Sequence, residues 1–511
     1  MSEPKTFRAR TLRNAGSSLA QLIVATISLF VLYRVVLDIL GPREFGIWSL
    51  VMAATSMVGL ANMGLTGSMV KHVAEMRGAG EFERLSGMVE TIVISVALLS
   101  ALLSVAGYPL IKAYFAVTLP ADAYRSAVLI MPIALVAFCL SMITGIYQSV
   151  LYGCHLIVQR NAILMFESVS FLGLSLVLAP RYGLFGLVYA RAAQNLITLL
   201  LSIFILKRHL PFLPLIPLRW KKNLFKELMG YALSFQFVSI LTLVMDPLTK
   251  GLISRFGSLE MVTYFEMSTR LIGQVRGIVV NANQVLVPTF AQVHRTEAGQ
   301  VEALFRRSYE IIFYVTVCLF GLLAAALPFV GLLWLGADQP MFVNIATVLC
   351  LGWLINTLSV PAYFASLGTG AMGIVVGSHV TMALLNVVLG FGFGRMWGGY
   401  AVVWAWAVAL AAGGLVMHTA YCRRIGSGWR AMLPAHGAGL AAFCAIGLLV
   451  GHVALRQASA LAWTGIPRVD RLLSSGSALL CFVAVFLLPA MLHPVRADLV
   501  RWLFPRRVAK A

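Results

Sequence analysis

The sequence predicts an all-α protein that crosses a lipid bilayer many times. Three observations carry this. Of 511 residues, 60% are hydrophobic and only 11% charged, whereas a soluble chain carries about 25% charged residues. Apolar stretches long enough to span hydrocarbon recur from end to end. Lys and Arg collect on alternate connecting segments, about 25 on one side against about 9 on the other, the asymmetry expected of loops facing the cytoplasm. The net charge of +20 therefore reports topology, and nucleic acid is not an expected partner.

The apolar stretches are 16–40, 45–69, 86–108, 126–152, 161–180, 184–206, 229–252, 262–288, 308–335, 341–367, 374–394, 398–420, 432–455 and 472–492. They predict about 14 transmembrane helices, being too long and continuous for barrel strands. The first follows Lys5, Arg8, Arg10 and Arg13 and is too long for a signal-peptide core, so it reads as an uncleaved span. An even number of spans puts both termini in the cytoplasm. Residues 207–228, KRHLPFLPLIPLRWKKNLFKEL, form a proline-rich, basic linker suited to the anionic cytoplasmic surface of the membrane. Trp334, Trp397, Trp429, Trp463 and Trp502 fall near span ends, where interfacial anchors sit.

An internal repeat crosses the linker. Gly41, Glu44 and Trp48 match Gly257, Glu260 and Tyr264 at an offset of 216. Gly80, Glu83 and Leu85 match Gly299, Glu302 and Leu304 at 219, as Pro109 matches Pro328. Gly153 matches Gly368 at 215, and YGLFGLVYA at 182–190 matches WGGYAVVWA at 397–405 at the same offset. The repeat predicts two six-helix lobes in the same orientation, related by a pseudo-two-fold axis along the membrane normal. The expected domains are an N-terminal lobe at 1–206, the linker at 207–228, a C-terminal lobe at 229–420, and two extra spans with a basic tail at 421–511.

Few patterns suggest catalysis. GTGAMG at 368–373 spells a dinucleotide fingerprint, but it joins two spans with no strand before it. No Walker motif, zinc spacing or catalytic triad is present, so neither an enzyme nor a cofactor is expected. GLLVG at 447–451 suggests close helix packing. The seven cysteines are scattered and suggest no disulfide framework.

The informative residues are ionisable groups inside apolar stretches, each costing roughly 2.5–3.5 kcal/mol on the lenient insertion scale. The stretch 246–276 holds Asp246 and Lys250 four apart, Glu266 and Arg270 four apart, and then Arg276. On a helix such spacing puts each pair on one face. Arg34 and Asp38 lie in the first span, Glu167 in the fifth and Arg191 in the sixth. The repeat offset of 216 sets Arg34 opposite Lys250, each about 10 Å inside the outer boundary. Two readings stand: helix staples, or a wet cavity for an anion. The symmetry favours the cavity, with Arg34, Arg191, Lys250, Arg270 and Arg276 as substrate-binding cations. Asp38, Asp246 and Glu266 are then counter-ions or proton-coupling acids. Pro247, Pro288 and Pro361 are candidate bending points.

LGPREFGIWSL at 40–50, GLANMGLTGSMVKHVAE at 59–75 and YGLFGLVYA at 182–190 resemble the multidrug/oligosaccharidyl-lipid/polysaccharide (MOP) exporter superfamily, and within it the Wzx-type oligosaccharide flippases. Asn62 stands where many members have an acid, which leaves any role of that acid open here. The resemblance implies a flippase for an undecaprenyl-pyrophosphate glycan in the bacterial inner membrane, working by alternating access. It implies a lipid-linked oligosaccharide substrate, contact with membrane lipid, and possible polysaccharide polymerase or assembly proteins as partners. The alternatives are a cation-coupled multidrug antiporter of the same superfamily and a non-transporting subunit of a polysaccharide synthase.

Overall fold

The computed structural model describes residues 3–62, 65–427, 434, 436–461 and 464–496. Every regular element among them is a helix. Ten are long and apolar enough to cross a membrane, and the protein is a multi-pass membrane protein. The expected anchors Trp429, Trp463 and Trp502 lie outside the described residues. Trp397 is exposed, as an anchor requires, whereas Trp334 is buried against the Phe342 ring at 6.0 Å and is a core residue instead.

The chain forms two compact units, Met1–Thr263 and Tyr264–Ala511. The first contains α1 (Glu3–Ser56), a short 3-10 turn (Met57–Asn62), α2 (Leu65–Ala79), α3 (Phe82–Thr118), α4 (Ala121–Gly153), α5 (Ile157–His209) and α6 (Lys222–Phe256). The division falls within α7 (Leu259–Asn283), and α6 packs on α1, α2 and α3 in the first unit.

At 53 residues, α5 would measure about 80 Å if straight, against about 30 Å of hydrocarbon. It is two helices meeting at Gly183 (φ 58°, ψ −132°), and α1 likewise breaks at Gly41 (φ 78°, ψ 167°), just before Pro42. Both glycines adopt a left-handed φ that a side chain would oppose. The core of this unit is an aliphatic cluster that includes Val73, Met88, Ile92, Ile146, Val150 and Ile163, drawn from α2, α3, α4 and α5.

The second unit continues with α8 (Leu286–Thr296), α9 (Val301–Leu335), α10 (Pro340–Thr357), α11 (Val360–Gly368), α12 (Met372–Trp397), α13 (Gly399–Arg424), α14 (Gly437–Ser459) and α15 (Pro467–Leu492). Pro288 and Pro361 sit in the first turns of α8 and α11. They start helices, where a missing N–H costs little; of the three candidate bending points, Pro247 is the one inside a long helix, α6. Around α9, Tyr309, Phe313, Leu440, Cys444, Phe482 and Phe486 tie α14 and α15 into one cluster. The expected close packing at Gly447 and Gly451 is present. A Cβ on Gly451 would lie 2.9 Å from the Ala478 carbonyl oxygen, and one on Gly447 3.0 Å from the Phe482 ring.

The two units repeat the same local events, each within itself. Helix α3 starts at Phe82 and α9 at Val301, and Pro109 and Pro328 lie inside them. Gly183 divides α5 as Gly398 (φ 79°) divides α12 from α13. Gly153 ends α4 so close to α2 that a Cβ would lie 2.8 Å from both the Val70 carbonyl oxygen and the Val73 Cβ. Gly368 ends α11 against α8 in the same way, 2.7 Å from the Val287 oxygen and 2.8 Å from the Phe290 Cβ.

Candidate functional site

Three of the five expected cations form ion pairs one helical turn from a carboxylate. The Arg34 Nε lies 2.9 Å from Asp38 Oδ2, the Lys250 Nζ 2.8 Å from Asp246 Oδ2, and the Arg270 Nε 2.7 Å from Glu266 Oε1. A nearby carboxylate offsets part of the cost of taking each cation out of water. The pairs differ in which member is open. Lys250 is 3% exposed and Asp246 46%, whereas Glu266 is 5% exposed and Arg270 55%. Arg34 is intermediate at 35%. The positions matched by the repeat, 34 and 250, therefore present different groups: a half-open guanidinium in one and the partner carboxylate in the other.

Two arginines are held by rings. The Arg191 guanidinium lies 4.7 Å over the Phe171 ring and donates to Gln194 Oε1 at 3.1 Å; Gln194 in turn donates to Thr198 Oγ1. In the second unit the Arg276 guanidinium lies 4.7 Å over the Trp353 ring. Its Nε is buried and makes no hydrogen bond with a described residue, and the same holds for the Trp353 Nε1. A cation over an indole face is stabilised by about 0.5–2 kcal/mol, so Trp353 takes over part of what a carboxylate does for Arg34, Lys250 and Arg270. One stacked pair thus holds two buried N–H groups with no hydrogen-bond partner among the described residues, which folded proteins seldom tolerate without a use.

Two residues that shape these surroundings were not singled out from the sequence. The Tyr114 hydroxyl of α3 donates to the Pro247 carbonyl at 2.6 Å. It reaches that atom because residue 251, a turn further on, is glycine: a Cβ there would lie 2.4 Å from the tyrosine oxygen. Tyr114 thus braces the turn that carries Asp246 and Lys250. Glu90 is buried in α3, and its Oε2 accepts the backbone N–H of Leu218 at 3.1 Å and of Arg219 at 3.0 Å. Thr91 accepts the Lys221 N–H, and Ser95 the Trp220 indole N–H. These bonds fasten the basic linker to α3. The sequence signal was present, since Glu90 is the one acid in the apolar stretch 86–108; Tyr114 gives no such signal.

The fold is similar to that of solved transporters of the MOP superfamily. The lipid II flippase MurJ in an inward closed conformation superposes with a TM-score of 0.70 over 93% of this chain and 98% of that chain, at 11% identity. An inward-facing multidrug resistance MATE family transporter gives 0.67 over 79% of this chain and 94% of that one, at 14% identity. A MOP transporter from Pyrococcus furiosus, described as having a binding pocket of reverse polarity, gives 0.60 over 82% and 95%, at 13% identity. At these identities the likeness establishes the fold. No curated protein matches the sequence significantly. Residues 11–294, more than half of the chain, match the polysaccharide biosynthesis protein family, and the chain belongs to that family.

Proposed function

We propose that the protein moves an undecaprenyl-pyrophosphate-linked oligosaccharide from the inner to the outer leaflet of the bacterial inner membrane, in the assembly of a cell-surface polysaccharide. The observation that carries this is the part of α7 that belongs to the second unit. There Glu266 is buried while Arg270 is open, and Arg276 lies over an indole face with an unused N–H. Such a wall presents guanidinium groups, which bind phosphate bidentately. A site for cationic drugs would present its acids, as the Asp246–Lys250 pair of the first unit does, so the reading rests on the α7 pair, where the guanidinium is the open member.

In this reading the fourteen spans form lobes at 1–206 and 229–420, followed by two extra spans and a basic tail at 421–511, with both termini in the cytoplasm. The kinked helices α1 and α5 supply two spans each. Arg34, Arg191, Arg270 and Arg276 are the cations of the path, and the buried Lys250 acts through its open partner Asp246. Asp38, Asp246 and Glu266 neutralise their partners when the path is empty, and substrate phosphate displaces them, freeing a carboxylate to take a proton. The relative named as a lipid II flippase supports a lipid-linked substrate, and polysaccharide polymerase or assembly proteins are fitting partners.

The test is Arg270→Ala, with surface glycan measured at membrane levels matched to the parent protein. Loss of surface glycan is expected. Normal export would reduce the Glu266–Arg270 pair to a helix staple.

A further inference from the structure

We infer that the end of α5 and the basic linker form a binding slot for one anionic glycerophospholipid, separate from any transport path. The slot is a cleft of about 440 Å³ lined by Leu200, Ile203, Phe204, Lys207, Arg208 and Leu215, a volume within the roughly 300–1,000 Å³ of ordinary ligand sites. Its chemistry is divided along the helix. Leu200, Phe204 and Arg208 follow at intervals of four, and Ile203 and Lys207 form the adjacent row, so two stripes run from apolar to cationic toward the helix end. No acid lines the slot.

The linker turns this face into a cleft. Lys207 Nζ donates to the carbonyls of Pro211 at 2.8 Å and Leu213 at 2.5 Å, folding the chain back over the helix end. Leu210 and Leu213 are buried beneath. The Glu90 carboxylate and the hydroxyls of Thr91 and Ser95 hold residues 218–221. Leu215 is thereby fixed as an exposed apolar wall facing Leu200 and Phe204. Lys207 is committed to the fold, which leaves Arg208, exposed in the last turn of α5, as the phosphate ligand. A long basic side chain at a helix end often only snorkels toward headgroups. A slot differs because its apolar wall must matter as much as its charge.

Charge complementarity selects the occupant: a phosphodiester with net negative charge at Arg208 and an acyl chain along Leu200, Phe204 and Leu215. The experiment is native mass spectrometry of the full-length protein in detergent, titrated with palmitoyl-oleoyl phosphatidylglycerol or phosphatidylcholine. The intact protein should retain one phosphatidylglycerol about five- to tenfold more tightly than phosphatidylcholine, the scale of one basic residue at a membrane surface. Arg208→Gln should remove the preference, Arg208→Lys should keep most of it, and Leu215→Asn should weaken retention of both lipids at that site. Equal retention of the two lipids by the intact protein would overturn the proposal. So would loss in Arg208→Gln with no change in Leu215→Asn, which is the signature of snorkelling alone. Undecaprenyl pyrophosphate should leave the bound phosphatidylglycerol in place, and its displacement at equimolar concentration would overturn the assigned occupant.

Discussion

Replacing Glu90 by glutamine should loosen the linker by an amount that the structure allows to be worked out. One carboxylate oxygen accepts two backbone N–H groups at 3.1 and 3.0 Å. A hydrogen bond to a charged acceptor is worth about 1.5–3 kcal/mol and a neutral one about 0.5–1.5 kcal/mol. Glutamine keeps an oxygen in place but loses the charge, so each bond weakens by about 1 kcal/mol or slightly more. Leu218 is 80% exposed, and water compensates part of any loss, so the lower figure applies. Two bonds then give about 2 kcal/mol, or roughly thirtyfold in a local opening equilibrium. The assay is amide hydrogen exchange in detergent or nanodiscs, read at Leu218 and Arg219, with the interior of α3 as the internal reference. Glu90→Gln should speed exchange at those two amides roughly thirtyfold, and Glu90→Ala more. If both amides keep the parent protection in Glu90→Gln while α3 is unchanged, Glu90 does not hold the linker and the reasoning fails.

Arg34→Gln should abolish most glycan export, and adding Asp38→Asn should not restore it; recovery in the double variant would show that the pair only staples a helix. Gly153→Ala and Gly368→Ala each force a Cβ to within 2.8 Å of a neighbouring backbone oxygen and should each destabilise by about 1–3 kcal/mol. That loss is seen as a lower melting temperature in detergent. Gly377→Ala meets nothing within 4 Å and should melt no lower than the parent, and equal melting of all three would contradict the close approaches. Arg276→Lys keeps the charge but loses the guanidinium over the Trp353 ring. A loss of about 0.5–2 kcal/mol corresponds to roughly two- to thirtyfold weaker binding, measured as the substrate concentration for half-maximal transport. Trp353→Leu should show a similar loss, whereas an unchanged value in both would remove the stack from the site.

Much of the helical layout was legible because lipid leaves the backbone few options. A long apolar stretch must satisfy its own hydrogen bonds, so helix positions follow from hydropathy. The glycines that matched across the linker were legible for a related reason. Gly183 and Gly398 occupy left-handed turns, and Gly153 and Gly368 lie against backbone, so these positions admit little else. The i, i+4 ion pairs followed from helical spacing alone, and all three formed. Which member of each pair is open was not legible, because that depends on neighbouring helices: nothing within 246–250 says that Lys250 is buried and Asp246 is not. The Arg276–Trp353 stack joins α7 to α10 across 77 positions, and the bond from Tyr114 to Pro247 spans 133 residues. Such contacts leave no periodic trace. Trp334 went to the core because a tryptophan near a span end serves an interface or a helix neighbour equally well, and only packing decides.

The central claim, that this chain carries an anionic lipid-linked glycan, is tested most directly by purified protein in proteoliposomes. An undecaprenyl-pyrophosphate oligosaccharide labelled on its glycan is placed in both leaflets, and an impermeant glycosidase reports the fraction that reaches the outside. The account predicts complete cleavage with the intact protein, protection of about half the label with Arg270→Ala, and no comparable uptake of a lipophilic organic cation. Protection of half the label with the intact protein, together with proton-driven movement of the organic cation, would contradict it.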